Sequence, residues 1–155
     1  MAKQTFTYEY PRPSVAVDLV LVSKQSPLRV LLIRRKHEPF AGLWALPGGF
    51  IEMNETLEES ARRELKEETG LETGRLVQLG TYGDPGRDPR GRTISVIYLG
   101  IVGATKLKPR AADDAAEVGW FSLQRPPKLA FDHAKALADA RRCLKDRSFH
   151  SAKGR

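Results

Sequence analysis

The chain of 155 residues carries a formal charge of +7, with 41% hydrophobic and 29% charged residues. That is the size and composition of one globular domain with a proper core, and it argues against a disordered or fibrous chain. A single cysteine, Cys143, excludes an intramolecular disulfide and a cysteine-built zinc site; the three histidines show no ligand spacing, and no apolar run is long enough to span a membrane.

The start, Met-Ala-Lys-Gln-Thr, is polar, so a cytoplasmic protein is the expectation. The positive charge is uneven. From Arg141 to Arg155 there are six Lys/Arg against one acid, Asp146. A basic tail is usually solvated, and cations near a helix C-terminus suit its dipole, so nucleic acid is not an expected partner. The chain divides into an N-terminal arm (1–12), one domain (13–147) and a basic tail (148–155).

In chain order, Ser14 to Val22 is a nearly continuous β-branched apolar run, as in a buried strand. Asp18 interrupts it and reads as a hydrogen-bonded structural acid. Ser26-Pro27 makes a turn, and Arg29 to Arg34 forms the second strand of a hairpin. Arg34, Arg35 and Lys36 leave it as either phosphate contacts or a solvated strand end. Phe40 to Gly49 reads as an irregular loop, with Trp44 as its anchor in the core.

A turn after Phe50 and Ile51 leads into a helix. Thr56 with Glu59 three residues later is a capping-box pattern, and Gly70 is a left-handed stop. Leu57, Ala61 and Leu65 give an apolar stripe. On the helical wheel Glu64 and Glu68 fall within about 20° of Leu57, and Glu67 lies roughly 60° beyond Glu64. Glu58, Glu59, Arg62 and Lys66 face outward, and Arg63 points away from the acids. Unpaired carboxylates on a core-facing edge are very costly. A hard divalent cation removes that cost, and Mg²⁺ takes such oxygen ligands together with substrate phosphates. Glu64 and Glu68 are the best direct ligands. Glu67 is a further ligand or a base.

Past the helix, a strand is expected from about Arg75 to Tyr82 and another over Thr93 to Val102. Between them GDPGRDPRGR forms a hairpin tip rich in turn formers. Its arginines Arg87, Arg90 and Arg92 suit phosphate or ribose, because planar guanidinium forks match phosphate geometry. Its prolines lower the entropy lost on ordering, which favours an extended diphosphate over a compact triphosphate. Lys106 to Glu117 is polar and irregular. Val118 to Leu123 reads as a strand. Asp132 is expected to cap a last helix to about Asp146, with Ala134, Leu137, Ala138 and Leu144 inward.

Gly49, Glu55, Arg63-Glu64-Leu65, Glu67-Glu68 and Gly70-Leu71, nine positions in 23 residues, match the Nudix box without a departure. The chain therefore resembles the Nudix hydrolases. Leu43 to Gly49 and the loop Asp84 to Gly91 are similar to the ADP-ribose pyrophosphatase-like branch. The resemblance implies an α/β/α sandwich with a mixed β-sheet between helices. It implies hydrolysis of a nucleoside diphosphate derivative with Mg²⁺, or Mn²⁺ as the other ion, and most directly of ADP-ribose to AMP and ribose 5-phosphate. Alternatives are a nucleoside triphosphate or dinucleoside polyphosphate pyrophosphohydrolase and a non-catalytic ADP-ribose sensor. The intact box and the lack of a DNA-binding segment after residue 147 weigh against the sensor.

By the same resemblance the expected metal set is Gly49 through its carbonyl, with Glu64, Glu67 and Glu68. Arg63, Glu64, Glu67 and Glu68 are the expected catalytic group, with Arg63 orienting a box glutamate, Glu55 being the candidate. Arg34, Arg35, Arg87 and Arg92 are the expected substrate contacts. Candidate bases are Glu67, Asp113, Asp114 and Glu117, with Asp84 and Asp88 from the hairpin tip. A small-molecule nucleoside diphosphate is the expected partner, and homodimers are common in the family.

Overall fold

The computed structural model describes residues 5–103 and 115–146. The first strand, β1 (Ser14–Ser23), is the centre of a mixed sheet. It pairs antiparallel with β2 (Arg29–Arg35) and parallel with β6 (Thr93–Val102) over its whole length, from Ser14 opposite Thr93 to Ser23 opposite Val102. β5 (Leu76–Tyr82) closes the hairpin with β6, with an irregularity between Gln78 and Gly80. β7 (Ala115–Ser122) lies antiparallel to β2.

Strand alternation feeds two cores, one on each face of the sheet. Val17, Leu19 and Leu21 of β1 join Val96 and Tyr98 of β6 beneath Ala61 and Leu65 of helix α1 (Leu57–Thr69). Val20 and Val22 join Ile97 and Leu99 beneath Ala136, Leu137 and Ala140 of helix α2 (His133–Lys145). The result is the α/β/α sandwich expected from the sequence, and it explains the nearly continuous apolar run of β1, which only Asp18 interrupts. No helix among the described residues is long and apolar enough to cross a membrane.

Three local expectations change. The segment Phe40 to Gly49 is not all loop: Trp44–Ala45 forms β3 against β2, and Gly48–Phe50 forms β4 against β1. Strands of two and three residues have no readable period. Ala134 is exposed, because the inward line of α2 starts one residue earlier and runs through His133, Ala136, Leu137 and Ala140. Asp132 precedes α2 but makes no side-chain cap. Arg87 takes its carboxylate instead.

Candidate active site

α1 begins and ends as its sequence dictates. Thr56 Oγ1 accepts from the Glu59 N–H at 3.2 Å, and the Glu59 carboxylate accepts from the Thr56 N–H at 2.8 Å. Gly70 ends the helix at a φ of 70°, a conformation glycine adopts without penalty. With both ends set, Glu64 and Glu68 face β4. There the two glycines are steric requirements. A Cβ on Gly48 would stand 2.2 Å from the Val17 carbonyl oxygen, and one on Gly49 would stand 2.5 Å from Glu64 Oε1.

One cavity of about 290 Å³ opens between the end of α1, β4, the tip of the β5–β6 hairpin and the start of α2. Gly48, Gly49, Glu64 and Glu68 form one side; Arg35, Arg87, Asp88 and Arg90 contribute to the other, with Asp18, Phe131 and His133 also lining it. Glu68 is 7% exposed and accepts the Gly48 N–H at 2.9 Å. Burial pushes the Glu64 carboxyl above the usual range, and Arg63 only partly opposes this. Among the described residues no group of three or more His, Cys, Asp or Glu side chains stands ready around a metal ion. Glu64 meets Arg63 Nη1 at 2.7 Å, so its carboxylate is turned to a guanidinium. The donor set nonetheless fits a hard cation: two carboxylates, Glu64 and Glu68, lie beside the backbone of Gly48 and Gly49, which carries no side chain of its own.

Arg63 reaches further than its wheel angle suggests. Its Nε and Nη2 fork onto Glu55 at 2.5 and 3.0 Å, and Nη1 reaches both Glu64 and Glu67, the latter at 3.1 Å. The bonds from Arg63 hold Glu55 well below the usual carboxyl range. Glu67 is not among the cavity-lining residues, and its side chain is about half exposed.

The hairpin arginines separate. The Arg87 side chain is 4% exposed and makes a fork onto Asp132 at 2.9 and 2.6 Å. Burial opposes its charge, but Asp132 outweighs that and holds its pKa above the usual value. Arg90 forks onto the buried Asp88 and lies over the rings of Phe50 and Phe131, at 4.9 and 5.6 Å. Arg92 does not line the cavity; its Nη1 donates to the Gly83 carbonyl at 2.5 Å. The β2 pair separates too. Arg35 lines the cavity, and burial together with the nearby Arg90 lowers its pKa. Arg34 lies outside it, bonded to Glu117 at 3.1 Å and to the Gly42 carbonyl at 3.0 Å. Glu117 is thereby engaged on β7, and Asp113 and Asp114 lie outside the described residues. Asp84 is exposed against Lys135 at 3.2 Å.

Three cavity residues, Asp18, Phe131 and His133, and Asp132 beside them, were not singled out for function by their sequence. Asp18 accepts from Ser95 Oγ, as a structural acid should, yet it also lines the cavity. Burial raises its pKa, but His133, Ser95 and Arg87 overcome this and leave it below the usual range. Phe131 has a φ of 52°, rare for a bulky residue. It sits against Phe40, Arg35 and Arg90. Asp132 fixes Arg87. His133, 2% exposed, accepts the Leu46 N–H on Nδ1 at 3.0 Å. The positions just before a helix were the available signal, and it was spent on a cap.

Carboxylates and a glycine backbone on one side, with guanidinium groups on the other, define a site for an anionic, phosphate-bearing substrate. A NUDIX domain model matches residues 12–140. The chain therefore belongs to the Nudix family and is a hydrolase of the pyrophosphatase class. It is 48% identical to an ADP-ribose pyrophosphatase of Methanocaldococcus jannaschii over 130 residues, which are 84% of this chain and 74% of that relative. It is 34% identical to the ADPR-responsive transcriptional repressor NtrR of Acinetobacter baylyi; the match takes in 93% of this chain but 59% of the repressor. Among solved structures, the NUDIX domain of Shewanella oneidensis NrtR complexed with ADP ribose superposes with a TM-score of 0.78 at 35% identity, covering 87% of this chain and 90% of that one.

Proposed function

We propose that the chain hydrolyses ADP-ribose to AMP and ribose 5-phosphate with the help of Mg²⁺. The observation that carries this is that Glu64, Glu68 and Gly49 share one cavity with Arg35 and Arg87. A diphosphate needs both sides: its charge repels a nucleophile, and its leaving group departs as an anion. The M. jannaschii relative supports the choice of substrate.

Glu64, Glu68 and the Gly49 carbonyl would hold the cation, with Glu67 as a further ligand or as the base. A divalent ion there supplies Lewis-acid neutralisation of the diphosphate and a more acidic water. Arg63 orients Glu55, Glu64 and Glu67 through its five donors. Arg35 and Arg87 bind phosphate oxygens. Asp132 holds Arg87 in the plane such binding requires. Base chemistry comes from Glu67 or from the 104–114 segment with Asp113 and Asp114.

The test is a hydrolysis panel of ADP-ribose, NADH, dinucleoside polyphosphates and nucleoside triphosphates with Mg²⁺, with products separated by chromatography. ADP-ribose should give AMP and the highest kcat/KM. A preference for a triphosphate would overturn the substrate assignment. Tight binding of ADP-ribose without turnover would favour the sensor.

A further inference from the structure

We propose that His133 is a positioning residue that sets the metal affinity of the site by fixing the glycine turn from the far side of the cavity. The inference rests on the metal site assigned under the proposed function.

The turn from Trp44 to Gly49 brings Gly49 against Glu64, yet almost none of its fixing comes from its own neighbours in sequence. The Trp44 carbonyl accepts from Ala130 N–H at 2.8 Å, and the Pro47 carbonyl accepts from Leu19 N–H at 2.9 Å. The Gly48 N–H donates to Glu68 at 2.9 Å. The remaining donor in the middle of the turn, the Leu46 N–H, goes to His133 Nδ1, 87 residues away in sequence. A buried backbone N–H needs an acceptor. Leu46 and His133 are each 2% exposed, so water does not supply one.

The bond also assigns the tautomer of the ring. An accepting Nδ1 carries no proton, so Nε2 bears the ring hydrogen and faces Asp18 Oδ1 at 3.6 Å. Asp18 is itself held by Ser95 Oγ. A strut thus runs from β6 through Asp18 on β1 and His133 on α2 to Leu46, two residues before Gly48. Gly48 and Gly49 have no slack against it, since Gly48 packs on Val17 and Asp18 and Gly49 on Glu64. A shift of Leu46 would therefore move the backbone that the cation is expected to bind. Outer supports of this kind hold ligands in place at other metal sites.

Two amide variants separate the roles of the two ring nitrogens. In His133→Asn the side-chain oxygen falls near the position of Nδ1, so Leu46 keeps an acceptor. In His133→Gln the amide group falls near Nε2, facing Asp18, and the Leu46 N–H loses its acceptor. Both are polar and smaller than or similar to histidine. The measurement is Mn²⁺ binding to the full chain without substrate, read as free Mn²⁺ by electron paramagnetic resonance, with thermal melting to confirm folding. His133→Gln should weaken Mn²⁺ binding by about tenfold, the lower end of what loss of an outer support costs. His133→Asn should stay within about twofold of wild type, because the supporting bond is kept. Equal binding by wild type and His133→Gln would overturn the proposal, as would equal losses in the two variants. A wild type that binds no Mn²⁺ would overturn the metal reading beneath it. Because no turnover is read, failure of the ADP-ribose assignment would leave this result standing.

Discussion

The two sides of the cavity are built by opposite means. The α1 side is local: from Gly49 to Gly70, cap, stripe, acids and stop all lie in one short stretch, and Arg63 ties Glu55, Glu64 and Glu67 together within it. The α2 side is assembled from distant pieces. Residues 129–133 hold Trp44 by a bridge and a hydrogen bond, Leu46 through His133, and Arg87 through Asp132. A local code keeps the carboxylates at fixed angles on one helix. A tertiary clamp can place charge across the cavity from them, where a substrate with two phosphates needs it.

The largest effect should come from the local side. Glu64→Gln or Glu68→Gln should lower kcat by orders of magnitude while circular dichroism and melting stay near wild type, since a change of charge without loss of volume leaves the packing in place. Near-normal turnover with normal metal dependence in either variant would break the comparison, because the box side would then be mere scaffold.

Stability should show the reverse order. Asp132→Ala strands the Arg87 guanidinium, 4% exposed, without its partner. Removing one member of a buried pair costs about 3 kcal/mol or more. Thr56→Ala, which removes the capping bond on the local side, should cost about 1 kcal/mol. Urea titrations of the two variants measure the difference. If Thr56→Ala costs as much as Asp132→Ala, the clamp is not the stiffer of the two sides.

This contrast also explains what could be read from the sequence. The sandwich, the strands around β1 and β6, and the box helix follow from periodicity and capping within short windows, and the structure has them. Gly49, Glu64 and Glu68 line the cavity, and so do Arg35 and Arg87. Arg34 and Arg92 resemble them in composition but do not, because one pairs across strands with Glu117 and the other folds back on Gly83. Which arginine of a hairpin tip turns inward depends on Asp132, 45 residues further on. The helix start marked the position of His133 but not its role: a lone histidine in the first turn of a helix looks the same whether or not a backbone N–H awaits it.

The arginines give the next test, of intermediate size. Arg87→Ala and Arg35→Ala should each raise KM for ADP-ribose by roughly tenfold, in keeping with about 1.5 kcal/mol for a hydrogen bond to a charged group, with a smaller change in kcat. Arg92→Ala, a change outside the cavity, should shift KM by less than about twofold. Initial-rate kinetics at saturating Mg²⁺ decide it. A large KM effect at Arg92 would mean that the hairpin tip rearranges around substrate.

The smallest effect is also the one that separates the two sides by sign. Burial pushes the Glu64 carboxyl up, whereas Asp18, despite its burial, is held down by His133, Ser95 and Arg87. The metal-free folded protein therefore binds the Glu64 proton more tightly than the unfolded chain does, and the Asp18 proton less tightly. Stability from Glu64 is full at acid pH and is lost as pH rises through its raised value; stability from Asp18 is full at neutral pH and is lost as pH falls through its lowered value. Gln and Asn imitate the protonated forms. With a chelator present, Glu64→Gln should melt at or above the wild-type temperature at neutral pH, and Asp18→Asn should melt below it. Both gaps should close on acidification, Glu64→Gln closing first because its group protonates at higher pH. Differential scanning calorimetry from neutral pH into the acid range reads both. Two gaps of the same sign at neutral pH would show that the carboxylates share one electrostatic environment, and the division of the cavity into a side where burial opposes the charge and a side where partners satisfy it would fall.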